Sequence, residues 1–245
     1  MLVRVVGGVA GGRILHAPTT TATRPTSERV REAIFSILSS LRALDGASVL
    51  DLFAGSGALG IEAISRGAGR AVFVESTGPG VDAIYRNLAV LGERRNDATV
   101  VRDDAVSYAR RCGYFDIVIA DPPYAFERWA ELAGHLATRA GHLVVETSDQ
   151  PRQGKRARSG GRGPDRGEAG GKAGGEADGE AGGEAASGAA ASGAGSVDSP
   201  RLAHPGVSES LGPMWETVKV KRYGGTVVLV VRPLVTVCPA EEGNI

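Results

Sequence analysis

Cysteine, net charge and long apolar runs are all scarce in this chain, and each scarcity excludes something. The only two cysteines, Cys112 and Cys238, lie far apart and fit no metal-ligand spacing. Neither a disulfide framework nor structural zinc is expected, and two small buried thiols are the plainer reading. Lys plus Arg equals Asp plus Glu at 28 each, so overall charge gives no sign of a nucleic-acid partner, and only the distribution of charge can. No apolar run approaches membrane-spanning length, and Met1-Leu2-Val3-Arg4 lacks a signal-peptide core. A cytoplasmic protein without membrane or metal is expected.

Glycine, by contrast, is abundant at 36 of 245 residues, beside 42% hydrophobic residues. The excess is local. From about Gln150 the composition collapses into Gly, Ala, Ser, Glu and Arg, and residues 151–212 carry no aromatic and almost no large aliphatic side chain. Such a stretch has too little to bury to offset its ordering entropy, so a low-complexity disordered insertion is expected there. Residues 1–17 alternate around Gly7-Gly8 and Gly11-Gly12 as a small hairpin. Thr26 or Ser27 can cap a helix through Val30, Ile34, Phe35, Ile37, Leu38 and Leu41. Then short apolar runs at 48–53, 71–75, 98–101, 116–120 and 142–146 enclose helical stretches near 58–66, 79–91 and 126–138, with a weaker one at 102–111. That alternation predicts an α/β doubly wound sheet, closed by an antiparallel hairpin at 215–222 and 226–232 around Gly224-Gly225. The expected division is 1–45 as an N-terminal extension, 46–150 with 213–235 as the main domain, and 151–212 as the insertion.

The first chemical signal is Asp51-Leu52-Phe53-Ala54-Gly55-Ser56-Gly57-Ala58-Leu59-Gly60, a buried strand entering a glycine turn and then a helix. Gly55, Gly57 and Gly60 have the spacing that lets backbone approach a nucleoside, and Glu75 follows at the next strand end, where a carboxylate can accept ribose hydroxyls. Spacing alone does not separate NAD from S-adenosylmethionine. Asp51 does help, because a carboxylate sits badly beside a pyrophosphate and well beside a sulfonium and an ammonium. The competing reading of Asp51 is a solvated strand-end residue. Of Asp103-Asp104-Ala105, Asp104 is the better acceptor for an adenine amine, and ordinary helix capping competes equally.

The second signal is Asp121-Pro122-Pro123-Tyr124 at the end of the fourth strand, the edge where open α/β sheets bind ligands. An exocyclic base amine is a poor nucleophile because its lone pair is delocalised. The Asp121 side chain and the Pro122 carbonyl can accept its two N–H groups, and Tyr124 can stack on the base. A rigid strand-end turn is the bland alternative.

With these residues in place, the chain resembles the class I S-adenosylmethionine methyltransferases, whose amine-methylating members carry an [Asn/Asp]-Pro-Pro-[Tyr/Phe] motif. It is similar more narrowly to the bacterial family that methylates guanine N2 in 16S ribosomal RNA, through Arg4-Val5-Val6-Gly7-Gly8 with Gly12-Arg13, Arg24-Pro25-Thr26 with Arg29-Val30-Arg31-Glu32, and the block from Asp51 to Glu62. The resemblance covers about 1–150 and 213–233. It implies a mostly parallel, seven-stranded, Rossmann-like sheet, and a cofactor pocket of Asp51, Phe53, Gly55, Gly57, Glu75, Asp104 and Ala105. It also implies an acceptor site of Asp121, Pro122 and Tyr124, and 16S RNA or a small-subunit assembly particle as partner. The insertion departs from the family pattern, as does Ser76-Thr77-Gly78-Pro79.

Arg4, Arg13, Arg24, Arg29 and Arg31 crowd the first 31 residues, with Glu28 the only acid there. An RNA-backbone clamp is favoured over a solvated helix face. The alternatives are an adenine-N6 or protein-glutamine methyltransferase, which more often carries Asn where Asp121 stands, a nucleotide-binding ribosome assembly factor without catalysis, and a dehydrogenase, which Asp51 disfavours.

Overall fold

In a computed structural model, residues 3–18, 27–123, 125–148 and 207–235 are described. All of them belong to one unit of the chain, drawn from 1–151 and 200–245. Arg24, Tyr124 and Cys238 lie outside the described residues, as does most of the expected insertion.

Strands β1 (Val3–Arg4) and β2 (Ile14–Leu15) form the expected antiparallel ribbon. Helix α1 (Glu28–Ser40) starts at Ser27, whose hydroxyl accepts the Val30 amide. The alternating part then runs β3 (Ser48–Leu52), α2 (Ala58–Ser65), β4 (Arg70–Glu75), α3 (Gly78–Asn87), β5 (Ala98–Arg102), α4 (Ala105–Ala109), β6 (Phe115–Ala120), α5 (Trp129–Leu136) and β7 (Ala140–Ser148). The helix expected to reach residue 91 stops at Asn87. A 3-10 stretch, Leu88–Asp97, takes over, and Gly92 interrupts it at φ 60°, ψ −127°, outside helical geometry. Near the C-terminus α6 (Val207–Leu211) precedes the hairpin β8 (Trp215–Tyr223) and β9 (Thr226–Pro233). The insertion was expected to run to 212. Helix α6 shortens it, because Leu211 is 3% exposed and α6 packs on α5.

Seven strands form one sheet in the order β5-β4-β3-β6-β7-β9-β8. Pairs from β5 to β7 are parallel, and the two pairs involving β9 are antiparallel. Side-chain alternation sorts the interior into two layers. Val49, Phe73, Ile119, Val144 and Val230 meet the ribbon, α1 and α2 on one face, while Leu50, Val74, Val118, Val145 and Val231 meet α4, α5 and α6 on the other. Chain order reverses between β3 and β6, since β3 leads outward to β4 and β5 whereas β6 leads to β7. A crevice opens at such a reversal, outside the strand carboxyl ends. Among the described residues no helix is long and apolar enough to cross a membrane.

Candidate active site

The glycine turn lies at that crevice, and its shape follows from backbone angles that few residues tolerate. Gly55 and Gly57 stand at φ 55° and 77°. Phe53 takes φ 63° although it is not glycine, an outlier of a kind that gathers at functional sites. Gly57 begins α2, and the Asp51 side chain accepts the Gly60 amide at 2.8 Å, fixing the first turn of that helix. Gly60 itself leaves no room for more: an added Cβ would stand 2.3 Å from the buried Phe73 ring.

Asp51 is not the solvated residue of the competing reading, being 1% exposed. Burial raises its pKa most, the Gly60 amide pulls it back, and the Asp121 and Glu75 charges raise it again, to about 7. Glu75 is also buried. One carboxylate oxygen accepts the Gly55 amide at 2.9 Å, and the other accepts the Thr77 amide at 2.8 Å and the Thr77 hydroxyl at 2.7 Å. Glu75 thus ties the glycine turn to the start of α3. Gly80 makes room for it, since a Cβ there would sit 2.6 Å from the Glu75 side chain. Asp51 and Glu75 share the α2 face of the sheet by strand alternation, and Asp121, two residues after Ile119, continues on that face.

Asp104 caps α4, accepting the Ser107 amide at 2.9 Å, and this bond is the main reason its pKa is lowered. Arg128 adds a contact at 3.4 Å between two half-exposed side chains. Capping is therefore its observed structural role. Ala105 is buried in the first turn of α4. Asp103 is the neighbour that pairs with Arg111.

Asp121 follows Ala120, the β6 partner of Leu52, so it stands level with Phe53 across the two strand ends. Pro122 is buried and Pro123 exposed. The Pro123 carbonyl accepts the Phe126 amide at 2.8 Å, and among the described residues no backbone amide is bonded to the Pro122 carbonyl. Phe126 meets Phe53 edge-on at 5.0 Å between centroids and meets Trp129 in the same way at 5.0 Å. This aromatic ladder links the loop after β6 to the glycine turn. Sequence spacing gave no sign of Phe126.

Of the arginines, Arg4, Arg13 and Arg29 are exposed. Arg31 departs from the surface role expected for it. It is 1% exposed and donates to the Arg4 carbonyl at 2.6 Å, so it braces α1 against the ribbon beyond reach of a phosphate. Burial lowers its pKa, and the charges of Glu62, Glu28 and Glu146 oppose that effect. A signal was available: Arg31 stands three, four and seven residues before Ile34, Phe35 and Leu38, on the apolar face of its helix.

Three further buried polar residues hold the ribbon. Glu62 accepts the Val6 and Gly7 amides at 2.6 and 2.7 Å and Arg66 at 2.6 Å. The Ser65 hydroxyl accepts the Ala10 amide and donates to the Gly7 carbonyl. Asn87 accepts the His16 amide and donates to the carbonyls of His16 and Ser56. Among the described residues no group of His, Cys, Asp and Glu could hold a metal ion.

Among the described residues, the donors to Asp51 and Glu75 are amides and one hydroxyl, and no cation is bonded to either carboxyl group. That fits a positively charged nucleoside cofactor better than a pyrophosphate.

The sequence model of the family described as conserved hypothetical protein 95 matches residues 3–155. A putative rRNA methyltransferase, YlbH of Bacillus subtilis (strain 168), is 42% identical over 49% of this chain and 66% of its own length. Ribosomal RNA small subunit methyltransferase D of Escherichia coli (strain K12) is 40% identical over 50% of this chain and 60% of its own. The chain thus spans somewhat less than two thirds of these relatives. Among solved structures, the putative methyltransferase yhhF from Escherichia coli shares the fold with a TM-score of 0.61 at 24% identity, over 95% of this chain and 98% of that one. The chain therefore belongs to the conserved hypothetical protein 95 family, among relatives that include bacterial small-subunit ribosomal RNA methyltransferases.

Proposed function

We propose that this chain transfers a methyl group from S-adenosylmethionine to the exocyclic N2 amine of one guanine in 16S ribosomal RNA. The observation that carries the reading is the meeting of Asp121-Pro122 with the glycine turn across the β3 and β6 ends. Bound S-adenosylmethionine would supply an electrophilic methyl group. Gly55 and Gly57 give its nucleoside a close backbone approach, Glu75 is the acid for the ribose, and Asp51, once it has given up its buried proton, places negative charge beneath the cationic end.

On the acceptor side, Asp121 accepts one N–H of the guanine amine and the Pro122 carbonyl accepts the other. The two bonds draw the lone pair out of the ring plane and toward the methyl donor. As the nitrogen gains positive charge, the Asp121 carboxylate stabilises it, so most of its benefit falls at the transition state. Tyr124 is the residue proposed to stack on the base. Arg4, Arg13 and Arg29 are proposed to meet RNA phosphates, and Arg24 is assigned with them from sequence.

The test is to incubate the protein with labelled S-adenosylmethionine and unmodified 16S RNA, free and within small-subunit particles, and map the methylated nucleoside. Asp121→Ala is expected to lower single-turnover rates by roughly two to four orders of magnitude with little change in cofactor or RNA binding. Asp121→Asn keeps one acceptor oxygen. Partial activity in that variant would mean that orientation dominates, and loss as deep as in Asp121→Ala would mean that the charge does. A wild-type rate in Asp121→Ala would remove the proposed site.

A further inference from the structure

The C-terminal hairpin has a charge pattern that the reading above does not use. Between Thr217 and Val231 it holds Lys219, Lys221 and Arg222 and no acid. All three are exposed. The acid of β8, Glu216, lies at the far end of the hairpin, paired with Arg232 at 2.8 Å. In a chain with 28 charges of each sign, such a cluster is a local choice rather than a consequence of composition.

Topology brings this cluster to the active-site edge. Strand β9 runs antiparallel to β7, so the Gly224-Gly225 turn points the same way as the end of β6. Ala120 pairs with Val145, whereas Ser148 pairs with Thr226, and Thr226 pairs with Tyr223. Tyr223 therefore projects about 10 Å beyond the level of Ala120, and β8 lies three strands from β6, about 14 Å away. A single RNA strand crosses that gap in a few nucleotides.

The face is also right. Tyr223 packs beside the core layer of α1 and α2, while Val220 packs on the opposite layer. Lys219 and Lys221 precede Tyr223 by even steps and share its face. The Arg29 guanidinium sits over the Tyr223 ring, 5.8 Å from its centre. One aromatic thus joins the charge of α1 to that of the hairpin. Glu28 is the exposed acid next to Arg29. Among the described residues neither Lys219 nor Lys221 forms an ion pair.

We propose that Lys219, Lys221 and Tyr223, with Arg29, form an RNA-binding surface that grips the substrate strand a few nucleotides from the methylated base. Lysines spaced along an exposed strand suit phosphates, and a half-buried tyrosine ring suits a stacked base on a single strand. The inference rests on the proposed RNA substrate, but not on which atom is methylated.

The experiment measures binding to unmodified 16S RNA over a salt series, for the full chain and for Lys219→Glu/Lys221→Glu. The expected result is at least a tenfold loss of affinity at low salt and a salt slope shallower by about one to two, with S-adenosylhomocysteine affinity and Tm unchanged. Tyr223→Leu keeps apolar packing and loses the ring. It is expected to weaken binding severalfold at an unchanged salt slope. Wild-type affinity and slope in the double-lysine variant overturn the surface, as does a wild-type chain that binds no RNA. If that variant loses binding to small-subunit particles but not to free RNA, the surface meets a protein and the RNA assignment falls. Lysine-dependent RNA binding without guanine methylation would leave the surface standing and remove the proposed reaction.

Discussion

Asp51 shows how one residue can serve binding at the expense of stability. The folded chain holds its proton up to about pH 7, whereas the ordinary value is 3.8. Between those two values the folded state binds more protons than the unfolded one. The stabilising contribution of the group is complete below about pH 4 and is lost as pH climbs to about 7. Asp51→Asn keeps an acceptor for the Gly60 amide and removes the titration. The difference in Tm between about pH 5 and pH 8 is therefore expected to shrink in this variant, with higher stability at the alkaline end. Affinity for the cationic S-adenosylmethionine should fall more than affinity for uncharged-sulfur S-adenosylhomocysteine. An unchanged pH profile of Tm would mean that Asp51 does not carry the buried proton. At this scale the sequence was only partly readable. The spacing of Asp51, Gly55, Gly57 and Glu75 marked them out, but nothing in spacing says that both Glu75 oxygens are bonded within the protein, or that a side chain as remote in sequence as Asn87 reaches Ser56.

At the scale of elements, the strands and crossover helices followed from apolar runs because each buried strand needs a continuous apolar stretch and each crossover helix a face. Helix α6 did not, since Val207-Ser208-Glu209-Ser210-Leu211 is too short and polar to show a period. The attachment of the ribbon was equally silent, because it uses long-range bonds to backbone rather than a local motif. Glu62 is the centre of that attachment. Glu62→Ala removes, at a fully buried position, the acceptor of two amides and of the Arg66 Nε–H, leaving Arg66 only its pairing with Glu32. A loss of about 3 kcal/mol is expected, because one partner of a buried charge pair has been removed. Urea unfolding followed by circular dichroism measures it. A midpoint equal to wild type would mean that water replaces the carboxylate without cost.

For the whole molecule, the unequal layout of the chain gives a direct test of where the ordered domain resumes. Replacing 152–204 by a short Gly-Ser linker removes a stretch whose composition offers almost nothing to bury, and a Tm within about 2 °C of wild type is expected. Extending the deletion through Gly212 also removes Leu211, 3% exposed against α5. That loss of apolar burial is worth about 2 kcal/mol or a fall of roughly 4–8 °C in a domain of this size. Equal calorimetric melts for the two deletions would return the boundary to 212.

One further consequence comes from Asn87, 1% exposed at the end of α3. Its single amide group is bonded to both backbone atoms of His16 and to the carbonyl of Ser56. The ribbon and the glycine turn are thus anchored to α3 through the same side chain, each by its own bonds. Two segments forty residues apart in sequence therefore depend on one buried amide, and a change at Asn87 loosens both attachments at once.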